Sequence, residues 1–286
     1  MTILFGLLTA LANAIAVALQ HIASTSQREA TSRWRFVLYL IRHPLWLLGW
    51  VALAGSLLFQ ALALHFGPLS VVQPLLVSEL VLALVLRRFW IHQSIRSVTW
   101  VAAVITTAGL VLFLATTTPT GGAHVPANTA WAGPILACAI TAGLLTLLAR
   151  DGSPSRRAGL LASATAVLWA LEATFIKATT DALTSFGVGG TLTRWPLYAF
   201  AIGGVAGLLC EQAALHVGPL SVSQLFIVIV DPIVAIVLGI WIYGERFHAG
   251  VPHLAVGGLA FLAMCVGVVL LTRTAPATMT ADVHRV

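Results

Sequence analysis

Glu79, Glu172, Glu211 and Asp231 each lie inside a long apolar run, whereas Glu29, Asp151, Asp181, Glu245 and Asp282 fall outside such runs. A carboxylate at bilayer depth costs about 2.5 kcal/mol or more on insertion scales, so it normally faces the bundle interior and marks an ion, proton or substrate path. Glu79 is tenth of nineteen in the run 69–87 and Asp231 is thirteenth of twenty-five in the run 219–243, which puts both near the midplane. Glu211, beside Gln212, sits closer to one surface, and Glu172 closer to the other.

The neighbours of these acids suggest what they do. Pro232 follows Asp231, and its ring removes one backbone hydrogen bond and frees a carbonyl near Val228. A broken helix beside a carboxylate is therefore expected, the kind of place where a transporter holds a cation or proton. The alternative is a packing kink with a hydrogen-bonded acid. Gln224 lies seven residues before Asp231 and shares its helix face. Gln73 and Glu79 are six apart, a poorer match on one face, with Pro74 between them. Trp169, one turn before Glu172, is the tryptophan best placed to line a cavity, whereas Trp46, Trp50, Trp90, Trp100, Trp131 and Trp195 lie near run ends as an aromatic belt would. Glu211 is read either as a site residue or as an interfacial acid reaching headgroups. Lys177, the single lysine, is expected to snorkel to the interface, an anionic-substrate role being the alternative. His65 and His216 read as polar residues at helix ends.

No phosphate-binding glycine loop, HExxH pair or nucleophile elbow occurs, so neither an enzyme nor a cofactor is expected. Cys138, Cys210 and Cys265 stand in apolar runs without paired spacing and read as small core residues. Metal ligation is expected only if the cargo is a divalent cation, with Glu79 and Asp231 as ligands.

The elements that must hold these residues are membrane spans. Charged residues make up 8% of the 286 residues against roughly 25% in soluble domains, and apolar residues make up 59%. A soluble globule is excluded. Runs long enough to span fall at 3–22, 45–66, 69–87, 98–116, 131–149, 158–178, 195–216, 219–243 and 253–272. A tenth span hidden in 23–43 or 182–194 would invert everything to one side of it; the first is too charged and the second too short and glycine-rich, though either suits an interfacial or re-entrant helix. The formal charge of +6 arises from clusters in alternate connections, not from a basic face for nucleic acid. Placing those connections in the cytoplasm puts twelve of fourteen arginines inside and leaves Arg194 and Arg246 outside. That arrangement gives a multi-pass membrane protein with its N-terminus outside and its C-terminus cytoplasmic. The bilayer and a small-molecule or ion substrate are the expected partners, and the oligomeric state is left open, a homodimer included.

Self-comparison reveals a repeat. Residues 64–73, LHFGPLSVVQ, match 215–224, LHVGPLSVSQ, at eight of ten positions with a constant offset of 151. Gly67-Pro68 and Gly218-Pro219 suit a chain reversal that restarts a helix with proline in its first turn. His43-Pro44-Leu45-Trp46 resembles Trp195-Pro196-Leu197-Tyr198, so each copy is entered by a similar span. The offset pairs Asp231 with Leu80, one residue from Glu79, and Glu211 with Gln60. The chain therefore divides into a first repeat, 1–118, a linker with one central span, 119–155, a second repeat, 156–273, and a tail, 274–286. A single span between two four-span units inverts the second, and inverted repeats place a ligand site near the midplane between them.

The Gly-Pro-Leu-Ser turn leading to Gln73-Pro74-Leu75-Leu76-Val77, the matching turn leading to Val230-Asp231-Pro232, then Gly239, Gly244-Glu245-Arg246 and the glycine-rich stretch 257–271 together resemble the drug/metabolite transporter (DMT) superfamily. They resemble its EamA-like members and an actinobacterial branch close to the nine-span NIPA-type magnesium transporters. The resemblance implies an all-α polytopic inverted-repeat bundle. It also implies a secondary transporter moving a small metabolite or amphipathic compound by alternating access with a coupled proton or ion. Glu79, Asp231 and Glu211 would bind the ion, and Gln60, Gln73, Gln224, Trp169 and Glu172 would line the site. The alternatives are a magnesium or other divalent-cation permease, and a lipid translocator or non-transporting membrane subunit.

Overall fold

A computed structural model describes residues 1–25, 43–90, 92, 94–117, 119–120, 126–247 and 250–274. Among these residues the chain is an all-α, multi-pass membrane protein with nine helical segments long and apolar enough to cross a bilayer. The body of the expected 23–43 connection, parts of the 117–130 connection and nearly all of the tail lie outside the described residues.

The helices are α1 (Thr2–Thr25), α2 (Pro44–Phe66), α3 (Leu69–Leu76), α4 (Ser78–Trp90), α5 (Ser97–Thr117), α6 (Thr129–Leu148), α7 (Pro154–Leu192), α8 (Trp195–Val217), α9 (Leu220–Tyr243) and α10 (Val251–Thr274). Eight of the nine spans fall within three residues of the expected bounds at each end, and α3 and α4 together form the third. Proline opens several of them. Pro44, Pro154 and Pro196 occupy first-turn positions where the missing N–H costs no helical hydrogen bond, and the Ser153 side chain caps α7 by accepting the Arg156 N–H at 3.3 Å. Gly244 closes α9 in the left-handed region, φ 66°, with its N–H on the Ile240 carbonyl at 3.1 Å.

Two expectations are corrected. The sixth span does not stop at 178: helix continues to Leu192, interrupted at Gly187, where φ is 66°. The segment 182–194 thus divides: residues 182–186 end the long helix, and beyond the Gly187 kink a short helical piece runs to Leu192. The helix break expected at Pro232 is absent, because losing one N–H leaves the rest of the α9 ladder intact. The interruption falls in the other copy, between α3 and α4 at Val77. Three residues after Pro74 the chain tightens there, with Val77 N–H on the Pro74 carbonyl and Leu80 N–H on the Val77 carbonyl, both at 3.2 Å.

The packing has a repeating pattern. α1 packs on α2, α3 and α4, and in the same way α7 packs on α8 and α9. α3 crosses α9, and α5 lies along α10. The α5–α10 pair is antiparallel: Thr99 near the start of α5 bonds the Thr274 carbonyl at the end of α10. At the other end Pro119 and Thr120 pair with Phe247 and Arg246 in a short antiparallel ladder. The largest core cluster gathers around α7, whose small residues Ala164, Ala170 and Ala173 let neighbouring helices approach. Leucine, valine and tryptophan side chains cover much of the outer surface, as lipid contact requires.

Candidate functional site

The eight residues singled out in the sequence as lining or ion-binding, Glu79, Asp231, Glu211, Gln60, Gln73, Gln224, Trp169 and Glu172, all border one cavity of about 650 Å³. α1, α2, the α3–α4 junction, α7, α8 and α9 supply its wall. Gln73 and Glu79, a poor pair on a regular helix, both reach it because the Val77 break lies between them and alters the register.

Each acid has a defined setting. Glu79 Oε2 accepts the Asn13 side-chain amide at 3.1 Å, a cross-helix bond from α1. Trp169 from α7 and Glu211 from α8 both border the cavity. Glu172 packs against Gly204, where an added Cβ would stand 2.7 Å from Oε1, and at Gly207 an added Cβ would stand 3.2 Å from the Trp169 ring. The small-residue face of α8 therefore seats the two α7 side chains that face the cavity. Asp231 Oδ1 and Gln73 Oε1 are buried and have no hydrogen-bond partner. Glu79 lies within electrostatic reach of Glu211, and Glu172 of Asp231. Pro232 lines the cavity beside Asp231.

Sequence reasoning left several lining residues aside. Asn13 and Gln20 were recognisable as the polar positions of the first helix, but they carry no charge. Ser56 gave no separate signal, and Trp50, expected in an aromatic belt, lines the cavity as well. Trp50 is 49% exposed and Val17 42% exposed while both line the cavity, so they stand at its mouth. α1 begins beside the Gly67 turn, where Thr2 occupies the space a Gly67 Cβ would need. Val17 and Trp50 are thus in the half of α1 and α2 remote from that turn, and the cavity opens there.

The near end is closed by a set of buried charges. Lys177 Nζ donates to the Leu64 carbonyl and, at 3.0 Å, to the Gly67 carbonyl. Glu245 accepts the Leu69 N–H at 2.6 Å and the Ser70 N–H at 3.0 Å. His65 Nδ1 is 2.8 Å from Asp181 Oδ1. An ammonium thus satisfies carbonyls at the C-terminus of α2, and a carboxylate satisfies N–H groups at the N-terminus of α3, each where the helix leaves such groups orphaned. Lys177, expected to snorkel, is 4% exposed instead: it finds carbonyl acceptors within the protein and has no need of the headgroups. Trp131 is likewise buried, not part of an interfacial belt, and its ring stacks on Phe175 and meets Trp195 and Tyr243 edge-on. The Tyr243 hydroxyl donates to the Thr174 carbonyl at 2.7 Å and its ring lies 5.5 Å from Lys177 Nζ.

Among known proteins, no family model and no solved structure matches the chain. The chain is similar to an uncharacterised protein of Corynebacterium glutamicum, 28% identical over 288 residues, in an alignment that covers 100% of this chain and 98% of the other.

Proposed function

We propose that the protein is a secondary transporter of the drug/metabolite transporter type, EamA-like, which moves a small metabolite or amphipathic compound by alternating access and couples that movement to a proton or another ion. The observation that carries the reading is the convergence of Glu79, Glu172, Glu211 and Asp231, from both halves of the chain, on one cavity within the helical bundle. Intramembrane acids lining a cavity between repeats are the usual seat of coupling in such proteins. The recurrence of the α1–α2–α4 packing in α7–α8–α9, together with the antiparallel α5–α10 pair, fits two units of opposite sense. The arginine distribution supports an orientation with the N-terminus outside and the tail in the cytoplasm of a bacterial inner membrane.

A divalent-cation permease is less well supported. Among the described residues no three histidine, cysteine or acidic side chains come together as a metal site, and the wall includes Leu53, Leu57, Leu76, Ile227 and Val228, which offer nothing to a hydrated ion. The experiment is a proteoliposome screen of labelled metabolites and cations with and without an imposed pH gradient. A gradient-dependent flux that Asp231→Asn abolishes in a folded, inserted protein is the expected result. Magnesium flux indifferent to the gradient would reject the reading in favour of the permease.

A further inference from the structure

α7 outruns its neighbours. Asp181, whose carboxylate lies 2.8 Å from His65 Nδ1, is level with the end of α2, and from there the helix runs five residues further to Phe186, about 7–8 Å at 1.5 Å per residue. At Gly187, φ 66°, the chain kinks, and it comes back through Leu192 to Trp195, whose ring meets the buried Phe175 edge-on. Headgroups occupy about 5–7 Å on each side of the hydrocarbon core, so this tip stands in the headgroup layer, on the membrane face that carries the Gly67 turn.

The surface of the tip is apolar and bears one charge. Leu183, Phe186, Val188 and Leu192 are exposed. Val188 is flanked by Gly187 and Gly189, and a Cβ added at either glycine would meet nothing within 4 Å, so the tip is open on both sides. The hydroxyls of Thr184, Thr191 and Thr193 turn back onto the Asp181, Gly187 and Gly190 carbonyls, which leaves the apolar side chains to face outward. From Ala182 to Arg194 the sequence has no acid and a single base. That base, Arg194, holds its guanidinium carbon 3.7 Å from the centroid of the Phe186 ring, and among the described residues it has no carboxylate partner.

We propose that this tip, residues 182–198, is a binding site for anionic phospholipid: Leu183, Phe186, Val188 and Leu192 sit at the boundary between acyl chains and headgroups, and Arg194 takes the lipid phosphate. An exposed apolar patch marks a membrane or protein contact, and two features select the membrane. The Tyr198 hydroxyl donates to the Leu192 carbonyl at 2.7 Å, which ties the tip to the exposed face of α8 that continues through Ile202 and Val205. The tip therefore leans over lipid and not over the bundle. Trp195 and Tyr198, rings of the type that anchors at headgroup depth, accompany a guanidinium whose planar fork matches a phosphate. A free phosphate in water would gain nothing from the four apolar side chains beside it. The contact is independent of what the cavity carries.

The test puts a bimane label on Val188→Cys, a position 67% exposed, with Cys138, Cys210 and Cys265 replaced by serine. The full chain is placed in liposomes of phosphatidylcholine and phosphatidylglycerol in which one lipid or the other carries a nitroxide high on its acyl chain. Both nitroxides should quench the label, the phosphatidylglycerol form at least about twofold more at equal mole fraction. In vesicles of phosphatidylcholine alone, aqueous iodide should quench it at least about fivefold less than the free bimane–cysteine adduct. Arg194→Gln should erase the phosphatidylglycerol preference without changing the elution profile, and Arg194→Lys should keep part of it. If Arg194→Gln does not fold, salt decides: the preference should collapse between about 0.05 and about 0.5 M. A label open to iodide and untouched by lipid nitroxides would overturn the proposal. So would one shielded from both, as a second copy or a protein partner would shield it, equal quenching by the two lipids, or a preference that survives Arg194→Gln or high salt.

Discussion

Glu245 and Leu69 are 176 residues apart, yet the Glu245 carboxylate accepts the Leu69 backbone N–H at 2.6 Å. Gly67-Pro68 starts α3 without a side-chain cap, so the free N–H groups of its first turn need an acceptor from elsewhere, and Glu245 is that acceptor, 2% exposed. Glu245→Ala leaves the Leu69 and Ser70 N–H groups orphaned at a cost of about 1–3 kcal/mol each. Glu245→Gln keeps one acceptor and loses less, about 1 kcal/mol. Detergent-phase melting should therefore rank wild type above Gln above Ala, and equal melting of all three would refute the capping role.

Lys177 acts on the same turn from the other side, within the field of Asp181 and Glu245. Lys177→Met leaves the Leu64 and Gly67 carbonyls without their donor and removes the positive charge near both acids, a loss of about 1–3 kcal/mol for each orphaned group. Glu245→Gln on top of Lys177→Met should then cost less than it does alone, by about 0.5–3 kcal/mol, because the charge that interacts with Glu245 is gone. A double-mutant cycle with strictly additive effects would show that the two charges do not communicate.

Gly204 tests the seating of Glu172. An alanine Cβ there would stand 2.7 Å from Oε1, and since the clash is with the end of a flexible side chain, the carboxylate moves and the fold stays, within about 0.5 kcal/mol. The bound cargo loses a correctly placed carboxylate, so affinity or the KM for flux should worsen several-fold without a drop in melting temperature. A stability loss with unchanged affinity would make Gly204 a packing residue alone.

Depth and repetition made the cavity legible in the sequence. An acid in the middle of an apolar run has few uses besides facing inward, and the offset of 151 tied Glu211 to Gln60 and Asp231 to the neighbour of Glu79. The closed end was not legible, because Lys177 and Glu245 act on partners 110 to 176 residues away and no helical spacing encodes a contact of that kind. Pro232 misled for a related reason: whether proline breaks a helix depends on the packing around it, and here the break came at Val77, after Pro74. The repeat still held one clue. At the offset of 151, Lys177 and Glu245 correspond to Ser26 and Ser94, so the second turn, 215–221, lacks both charges at the corresponding positions.

That asymmetry predicts sidedness. With Cys138, Cys210 and Cys265 replaced by serine, Leu57→Cys puts one thiol in the cavity wall near its mouth. The mouth lies in the half remote from the Gly67 turn, which is the cytoplasmic half under the proposed orientation. A membrane-impermeant maleimide should accordingly label Leu57→Cys in inside-out vesicles and spare it in right-side-out ones. Adding Glu245→Gln weakens the hold on the turn, shifts the population toward states open at that end, and should raise labelling from the right-side-out face several-fold. Labelling from the right-side-out face in the parent protein would reverse the assigned orientation. No gain on adding Glu245→Gln would mean that the charges around Leu64–Ser70 stabilise the fold without gating the cavity.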